Sequence, residues 1–435
     1  MPNITRRELC PFVFLTHLQT NKFKTATLRL SLLTQLSRDT AAKNALLPRV
    51  LLQGTANHPD MAVLAEATDE LYGANIEAKI AKKGEIQCVS LAASFVDDAC
   101  LPEGEGILTQ ITKLLGEILL RPALKDGKFQ AAYVDGEREK LLDEIRGRIN
   151  NKRTYALTRL AELMCDGEAF SVFRLGTEQE AETIDAETLT AHYRMLLASA
   201  PIEIFYSGTA PADKVADALA AALSGIPRTE PDFDLGTDVR MNSLEPQPRY
   251  FTEEMDVTQG KLSLGFRIGS AMEDPDYAAL RLLHYLYGGS VNSKLFLHVR
   301  ERLSLCYYAS SVPELFKGLL LVASGIEFDK YDEALAEILA QLDAIRNGDI
   351  TDEELNWAKK ALITDLRMIA DEQSQLEDFY LGQTILGEDG GPEELIADVE
   401  RVGKKQIAEI AAGLQLDAVY FLQNAGADGN PPEEV

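Results

Sequence analysis

Two stretches decide the fold when they are set side by side: Thr27-Ala-Thr-Leu-Arg-Leu-Ser-Leu-Leu33 and Lys261-Leu-Ser-Leu-Gly-Phe-Arg-Ile268. Each is rich in strand-forming apolar residues. The first is followed by a charged turn at Arg38-Asp39 and a helical stretch from Ala41 to Leu52 that closes at Gly54. The second is followed by a turn at Glu273-Asp-Pro-Asp276 and a helical stretch from Tyr277 to Tyr287 that closes at Gly288-Gly289. In both, the closing glycine stands 26 positions after the strand leucine (Leu28 or Leu262), so the copies are offset by 234. A period this long implies duplication of a whole domain, not a solenoid repeat.

Working outward, the same offset aligns Gly84-Glu-Ile-Gln-Cys-Val-Ser-Leu91 with Gly318-Leu-Leu-Leu-Val-Ala-Ser-Gly325, both strand-like. A long amphipathic helix follows each, carrying Ile107, Leu108, Ile111, Leu114, Leu115 and Ile118 in one copy. Ala334, Leu335, Ile338, Leu339, Leu342 and Ile345 recur likewise in the other, with Gly348 as the stop. Thr351-Asp-Glu-Glu354 is a capping box that opens a further helix. Each half ends in a strand, Ile202 to Tyr206 and Ala418 to Leu422. The expected architecture is α+β, with two homologous domains that each pack helices on an antiparallel-rich sheet. Residues 1–226 form the first and residues 249–425 the second. Between them, 227–248 has the proline-rich, acidic, aperiodic composition of a linker, and 426–435 reads as a flexible tail.

Composition narrows the function. Lys+Arg number 43 against 69 Asp+Glu, a net charge of −26, which disfavours nucleic acid and anionic membrane surfaces as partners. No apolar run is long enough to span a bilayer, and no secretory apolar region follows Arg6 and Arg7. The five cysteines are odd in number, widely spaced and without a CxxC pair, which suits free thiols in a reducing cytoplasm. There is no GxSxG elbow, P-loop or GxGxxG fingerprint, and Glu103-Gly-Glu-Gly106 is too short and acidic to cradle phosphate. The five histidines are scattered. His284 and His298, 14 apart across the glycine pair, are a weak metal pair.

Two features suggest chemistry. Glu137 and Glu144, seven apart, lie on one helix face, where a solvated charged surface is the ordinary reading. Arg300-Glu-Arg-Leu-Ser-Leu-Cys-Tyr307-Tyr308 follows Gly288-Gly-Ser-Val-Asn-Ser-Lys-Leu-Phe296, and an arginine with a tyrosine suits a polypeptide ligand.

This second segment, with Ser293-Lys-Leu-Phe296, Arg300-Glu301, Leu305 and Tyr307, resembles the signature of the pitrilysin or insulinase (M16) zinc peptidases, which include mitochondrial processing peptidase and small bacterial two-chain members. The order of elements from Leu28 to Leu422 is similar to theirs. The resemblance implies that Arg300 and Tyr307 hold substrate at the zinc site of another domain or subunit, with Tyr308 the alternative register. It also places the family's HxxEH motif on Asn44-Ala-Leu-Leu-Pro-Arg49, ahead of Gly54-Thr55. There Ala45 and Arg49 stand at the histidine positions and Pro48 at the general base. Glu144 falls on the third ligand position and Glu137 on its supporting carboxylate. One carboxylate cannot hold zinc against water, so no metal and no independent proteolysis are expected of this chain.

The resemblance therefore implies a non-catalytic subunit of a heterodimeric zinc peptidase. A separate HxxEH-bearing chain would supply the zinc, and an unfolded peptide would bind as an added strand. The acidity favours basic or neutral peptides. Two alternatives are a self-associating, non-proteolytic peptide-binding or assembly scaffold of the same fold, as a homodimer, and an atypical metal site built from Glu144 and a distant histidine.

Overall fold

A computed structural model describes residues 3–102, 106–231, 233, 245–268, 274–388 and 390–425. The strands are β1 (Asn3–Cys10), β2 (Val13–Gln19), β3 (Thr25–Gln35), β4 (Asn75–Lys83), β5 (Ile86–Val96), β6 (Leu124–Lys125), β7 (Lys128–Phe129), β8 (Ile202–Gly208), β9 (Arg249–Met255), β10 (Gly260–Ile268), β11 (Cys306–Glu314), β12 (Leu319–Ile326) and β13 (Leu414–Asn424). They form a six-stranded sheet of order β1-β2-β8-β3-β5-β4 and a five-stranded sheet of order β11-β12-β10-β13-β9, with β6 and β7 a separate small hairpin. From β2 onward the first order has the same connectivity as the second read backwards. The β2–β8 and β13–β9 pairs are parallel and the other pairs are antiparallel. The duplication expected from the 234-residue offset is thus present strand by strand, and the α+β class holds.

The chain divides into two compact units that interleave in sequence. The first comprises Met1–Gly147, Val172–Gly236 and Gln373–Glu388; the second comprises Arg148–Ser171, Thr237–Glu372 and Asp389–Val435. A division at 226 and 249 leaves out this exchange, in which each unit takes one helical segment from the other half of the sequence. In the first unit Leu28 and Leu30 of β3 share a core with Leu46 and Val50 of the helix Ala41–Leu51 and with Ile111 and Ile118 of Ile107–Leu120. The incoming helix Gln373–Leu386 stacks Tyr380 on Phe205 and pairs Asp378 with Lys83 at 2.9 Å. In the second unit the incoming helix Lys152–Met164 places Leu160 and Met164 among Leu319, Leu321 and Tyr420. Gly265 of β10 admits it, since a Cβ there would lie 2.4 Å from Met164 Sδ.

Just beyond that helix, Glu168 sits in a fully buried charge cluster. It meets Arg267 Nη2 at 2.6 Å and Lys317 Nζ at 2.8 Å, and Arg267 Nε meets Asp417 at 2.7 Å. Lys83-Gly84 and Lys317-Gly318 are equivalent hairpin residues at the repeat offset, so each copy uses its hairpin lysine to hold the exchanged segment.

Several expectations fall differently. Asp274 to Asp276 already belong to the helix Asp274–His284, while Glu273 lies outside the described residues. So do Glu103 to Glu105, most of the linker and all of 426–435. The helix runs on through a π-helical turn, Tyr285–Gly289, to Ser290. The Thr351 capping box is formed, with Glu354 N donating to Thr351 Oγ1 at 3.1 Å and Thr351 N to Glu354 Oε2 at 2.8 Å. Among the described residues no helix is long and apolar enough to cross a membrane.

Candidate functional site

In the first unit, Ala45, Pro48 and Arg49 lie on the helix Ala41–Leu51, and Glu137 and Glu144 on the helix Ala131–Gly147. Ala45 is fully buried and offers no ligand. Pro48 is inside its helix, where it contributes no backbone donor. Arg49 Nη2 donates to Glu144 Oε2 at 2.5 Å, and Arg174 approaches the other carboxylate oxygen at 3.9 Å. Glu137 accepts from Gln53 Nε2 at 3.0 Å and from Lys140 at 2.6 Å. The two helices named from sequence do come together through the predicted residues, but a guanidinium occupies the carboxylate. A cation beside Glu144 supplies the countercharge a metal would have brought and repels any metal. These residues do not fit zinc.

Behind that helix, Asn44 donates to Gln87 Oε1 at 2.8 Å, and His192 Nε2 bonds Asn44 Oδ1 at 2.6 Å. Burial pushes the His192 pKa down to about 4, so it is neutral and donates to Asn44. His284 is likewise pushed to about 4 by burial, and its Nδ1 faces Ser311 Oγ at 2.8 Å. Among the described residues no group of three or more His, Cys, Asp or Glu converges to hold a metal ion. Neither Glu144 nor His284 and His298 therefore belongs to such a group.

In the second unit, the Ser293-Lys-Leu-Phe296 segment is largely structural. Lys294 is buried and pairs with Glu354 at 2.7 Å, fastening the π-helical segment Leu295–Arg302 to the helix Asp352–Ile369. Arg300, at 41% side-chain exposure, lies over the Phe296 ring at 4.7 Å and has Nε 3.6 Å from Glu301. The chain then reverses. Leu305 N donates to Val299 O at 3.0 Å, and Ser304 takes φ +51°. β11 begins with a bulge, because Cys306 pairs with Ile326 and Tyr308 with Gly325, leaving Tyr307 as the extra residue. Tyr307 is 61% exposed and its hydroxyl donates to Glu327 Oε1, a bond that raises its pKa. Tyr308 is turned inward instead, its ring against Arg153. Arg300 and Tyr307 thus stand exposed on consecutive elements, the tyrosine hydroxyl held by Glu327, while Tyr308 does not.

Sequence reasoning missed Arg174, Gln53, Glu327 and the Lys294–Glu354 pair, all of which join positions distant in the chain. For Lys294 the capping glutamate was a usable signal, since Glu354 serves both contacts.

Residues 183–362 match the family described as Peptidase M16 inactive domain. The probable inactive metalloprotease YmfF of Bacillus subtilis is 33% identical over 412 residues, 94% of this chain and 95% of its own. A conserved protein from Enterococcus faecalis V583 has a similar solved structure, with a TM-score of 0.88 and 28% identity over 98% of this chain and all of the other. A peptidase M16 inactive domain from Pseudomonas fluorescens shares the fold, with a TM-score of 0.78 and 17% identity over 98% of this chain and 99% of its own.

Proposed function

The chain belongs to the M16 peptidase family as an inactive member, and from that premise we propose that it is the non-catalytic subunit of a heterodimeric M16-type zinc peptidase. It binds an extended peptide, and a partner chain with an intact HxxEH motif supplies the zinc and the activated water. Arg300 and Tyr307 are its contribution to the reaction in trans. The supporting observation is a contrast within one chain: the metal positions are closed by the Arg49–Glu144 ion pair, whereas the guanidinium of Arg300 and the Tyr307 side chain, its hydroxyl on the exposed Glu327, face solvent.

The chemistry follows from those two groups. As water attacks the scissile carbonyl in the partner's site, negative charge develops on the carbonyl oxygen. Arg300 offers a fixed positive charge, and Tyr307 exchanges its bond to Glu327 for one to that oxygen. The exchange trades one charge-assisted hydrogen bond for another, at a surface position where water also competes.

The test is co-expression with an HxxEH-bearing M16 chain, sizing chromatography and a peptide-cleavage assay on the mixed complex. Arg300→Ala and Tyr307→Phe are expected to lower kcat by roughly 10²–10³-fold without dissociating the complex, the usual loss for one oxyanion donor. Wild-type turnover in both variants would refute the assignment.

A further inference from the structure

The register of the second sheet sets Tyr308, Gly325 and Lys261 side by side across β11, β12 and β10. Gly325 is needed there: a Cβ would lie 2.4 Å from Tyr308 Cε1 and 2.7 Å from Gln259 Oε1. Without that Cβ, the tyrosine ring lies down over the middle strand. Two cations gather at the ring, Arg153 Cζ at 4.2 Å and Lys261 Nζ at 5.9 Å from its centroid. Their polar partners are neutral, Ser310 Oγ at 2.9 Å for Arg153 and Gln259 Oε1 at 2.6 Å for Lys261.

Both cations line a cavity of about 740 Å³, to which Lys152 adds a third positive charge and Asp256 a carboxylate. A chain of net charge −26 has here a concave surface with a positive excess. Burial first, and Arg153 second, lower the pKa of Lys261, the direction of a cation short of a counter-anion. Tyr308, against whose ring both cations lie, is the residue next to Tyr307 on the bulge of β11.

We propose that this cavity is a carboxylate site, taking an acidic side chain or the C-terminal carboxylate of a bound peptide, so that acidic peptides are the class this subunit selects. The proposal rests on the reading of the chain as a peptide-binding subunit. Arg153 can fork onto a carboxylate and Lys261 acts as a point charge beside it.

The experiment is fluorescence anisotropy on the full chain alone, which keeps the presence or absence of a catalytic partner out of the result. One short labelled peptide is compared in three forms: neutral with an amidated C-terminus, the same with an internal glutamate, and the same with a free C-terminal carboxylate. At least one carboxylate form is expected to bind about tenfold tighter than the neutral form, the scale of a charge-assisted hydrogen bond. Which form gains identifies the source of the carboxylate. The gain disappears in Lys261→Met and in Arg153→Gln, and it weakens with added salt. Gly325→Ala, which keeps both cations but lifts the Tyr308 ring, loses it as well. Thermal melts confirm that each variant is folded. Equal affinity for all three forms, or a gain that survives Lys261→Met, overturns the carboxylate site. It leaves the peptide-binding reading standing if the neutral peptide still binds and Arg300→Ala weakens it. Failure of every form to bind overturns both.

Discussion

Replacing Glu168 by glutamine tests what fastens the Arg148–Ser171 segment to the second unit. Glu168, Arg267, Lys317 and Asp417 are all fully buried at the side chain. The substitution leaves the shape but removes the negative charge that meets Arg267 at 2.6 Å and Lys317 at 2.8 Å. Removing one partner of a buried pair typically costs about 3–5 kcal/mol, because the remaining charge keeps its desolvation penalty. For a unit of about 200 residues, each kcal/mol shifts Tm by roughly 2–4 °C, so the expected fall is on the order of 10 °C. The pH dependence has a definite sign. Burial raises the Glu168 pKa, but the hydrogen bonds and charges of Arg267 and Lys317 outweigh it and hold the pKa below the usual carboxylate value. Its contribution is therefore complete above the unfolded pKa and is lost as pH falls through the lower folded value. The wild type should show that acid limb and Glu168→Gln should flatten it. Thermal melts from neutral to acid pH, with hydrogen exchange of the Lys152–Met164 amides, read both effects. Glu168→Leu with Lys317→Met removes both partners of the lysine pair and should cost less than Glu168→Gln alone. A Tm within about 1 °C of wild type for Glu168→Gln would refute the assignment of the cluster as the fastening. Because Arg153 lies on the same segment, loosening it should also weaken the proposed carboxylate site.

Two further outcomes follow from the closed metal positions and the thiols. The triple substitution Ala45→His, Pro48→Glu, Arg49→His rebuilds an HxxEH motif, restores a helix donor and frees Glu144. Elemental analysis should find one zinc per folded chain, and a folded variant without zinc would refute the register placed on those residues. Cys100 is exposed, whereas Cys88 is buried and pushed up to about 11 by its burial. At pH 8 a thiol reagent should label Cys100 rapidly and Cys88 only as the protein unfolds; rapid labelling of Cys88 would contradict its packing.

The sheets were legible because strand pattern, helix period and closing glycines recur at one offset, which constrains each copy by the other. The exchange of helices was not. Lys152–Met164 and Gln373–Leu386 carry apolar stripes that state that they must be covered, but not by which sheet. The clue lay in local polarity: Lys83-Gly84 and Lys317-Gly318 are hairpin lysines in equivalent places, and burying them demands acids from elsewhere. At the candidate site the positions of Ala45, Pro48 and Arg49 were readable as a departure from a motif. That Arg49 would take Glu144 was not, because the pair spans 95 positions. The cationic cavity was harder still. Arg153, Lys261 and Tyr308 are far apart in the chain and form no motif; the strand register sets Lys261 and Tyr308 on either side of Gly325, and the helix Lys152–Met164 brings Arg153 to the tyrosine ring.

Net charge and local charge then pull in opposite directions on an acidic peptide, and distance decides between them. Exposed charges more than a Debye length apart, about 8 Å at physiological ionic strength, are largely screened from one another. The −26 total acts mainly on diffusional encounter, where it favours basic or neutral peptides, as composition alone suggests. Once a carboxylate is inside the cavity, Arg153 and the half-buried Lys261 lie at contact distance, so they govern how long it stays. The two effects reside in different rate constants. An acidic peptide should therefore associate faster as salt is added, because long-range repulsion is screened, and also dissociate faster, because the ion pairs weaken. Composition speaks to the first constant, and the placement of Arg153 and Lys261 around Tyr308 speaks to the second.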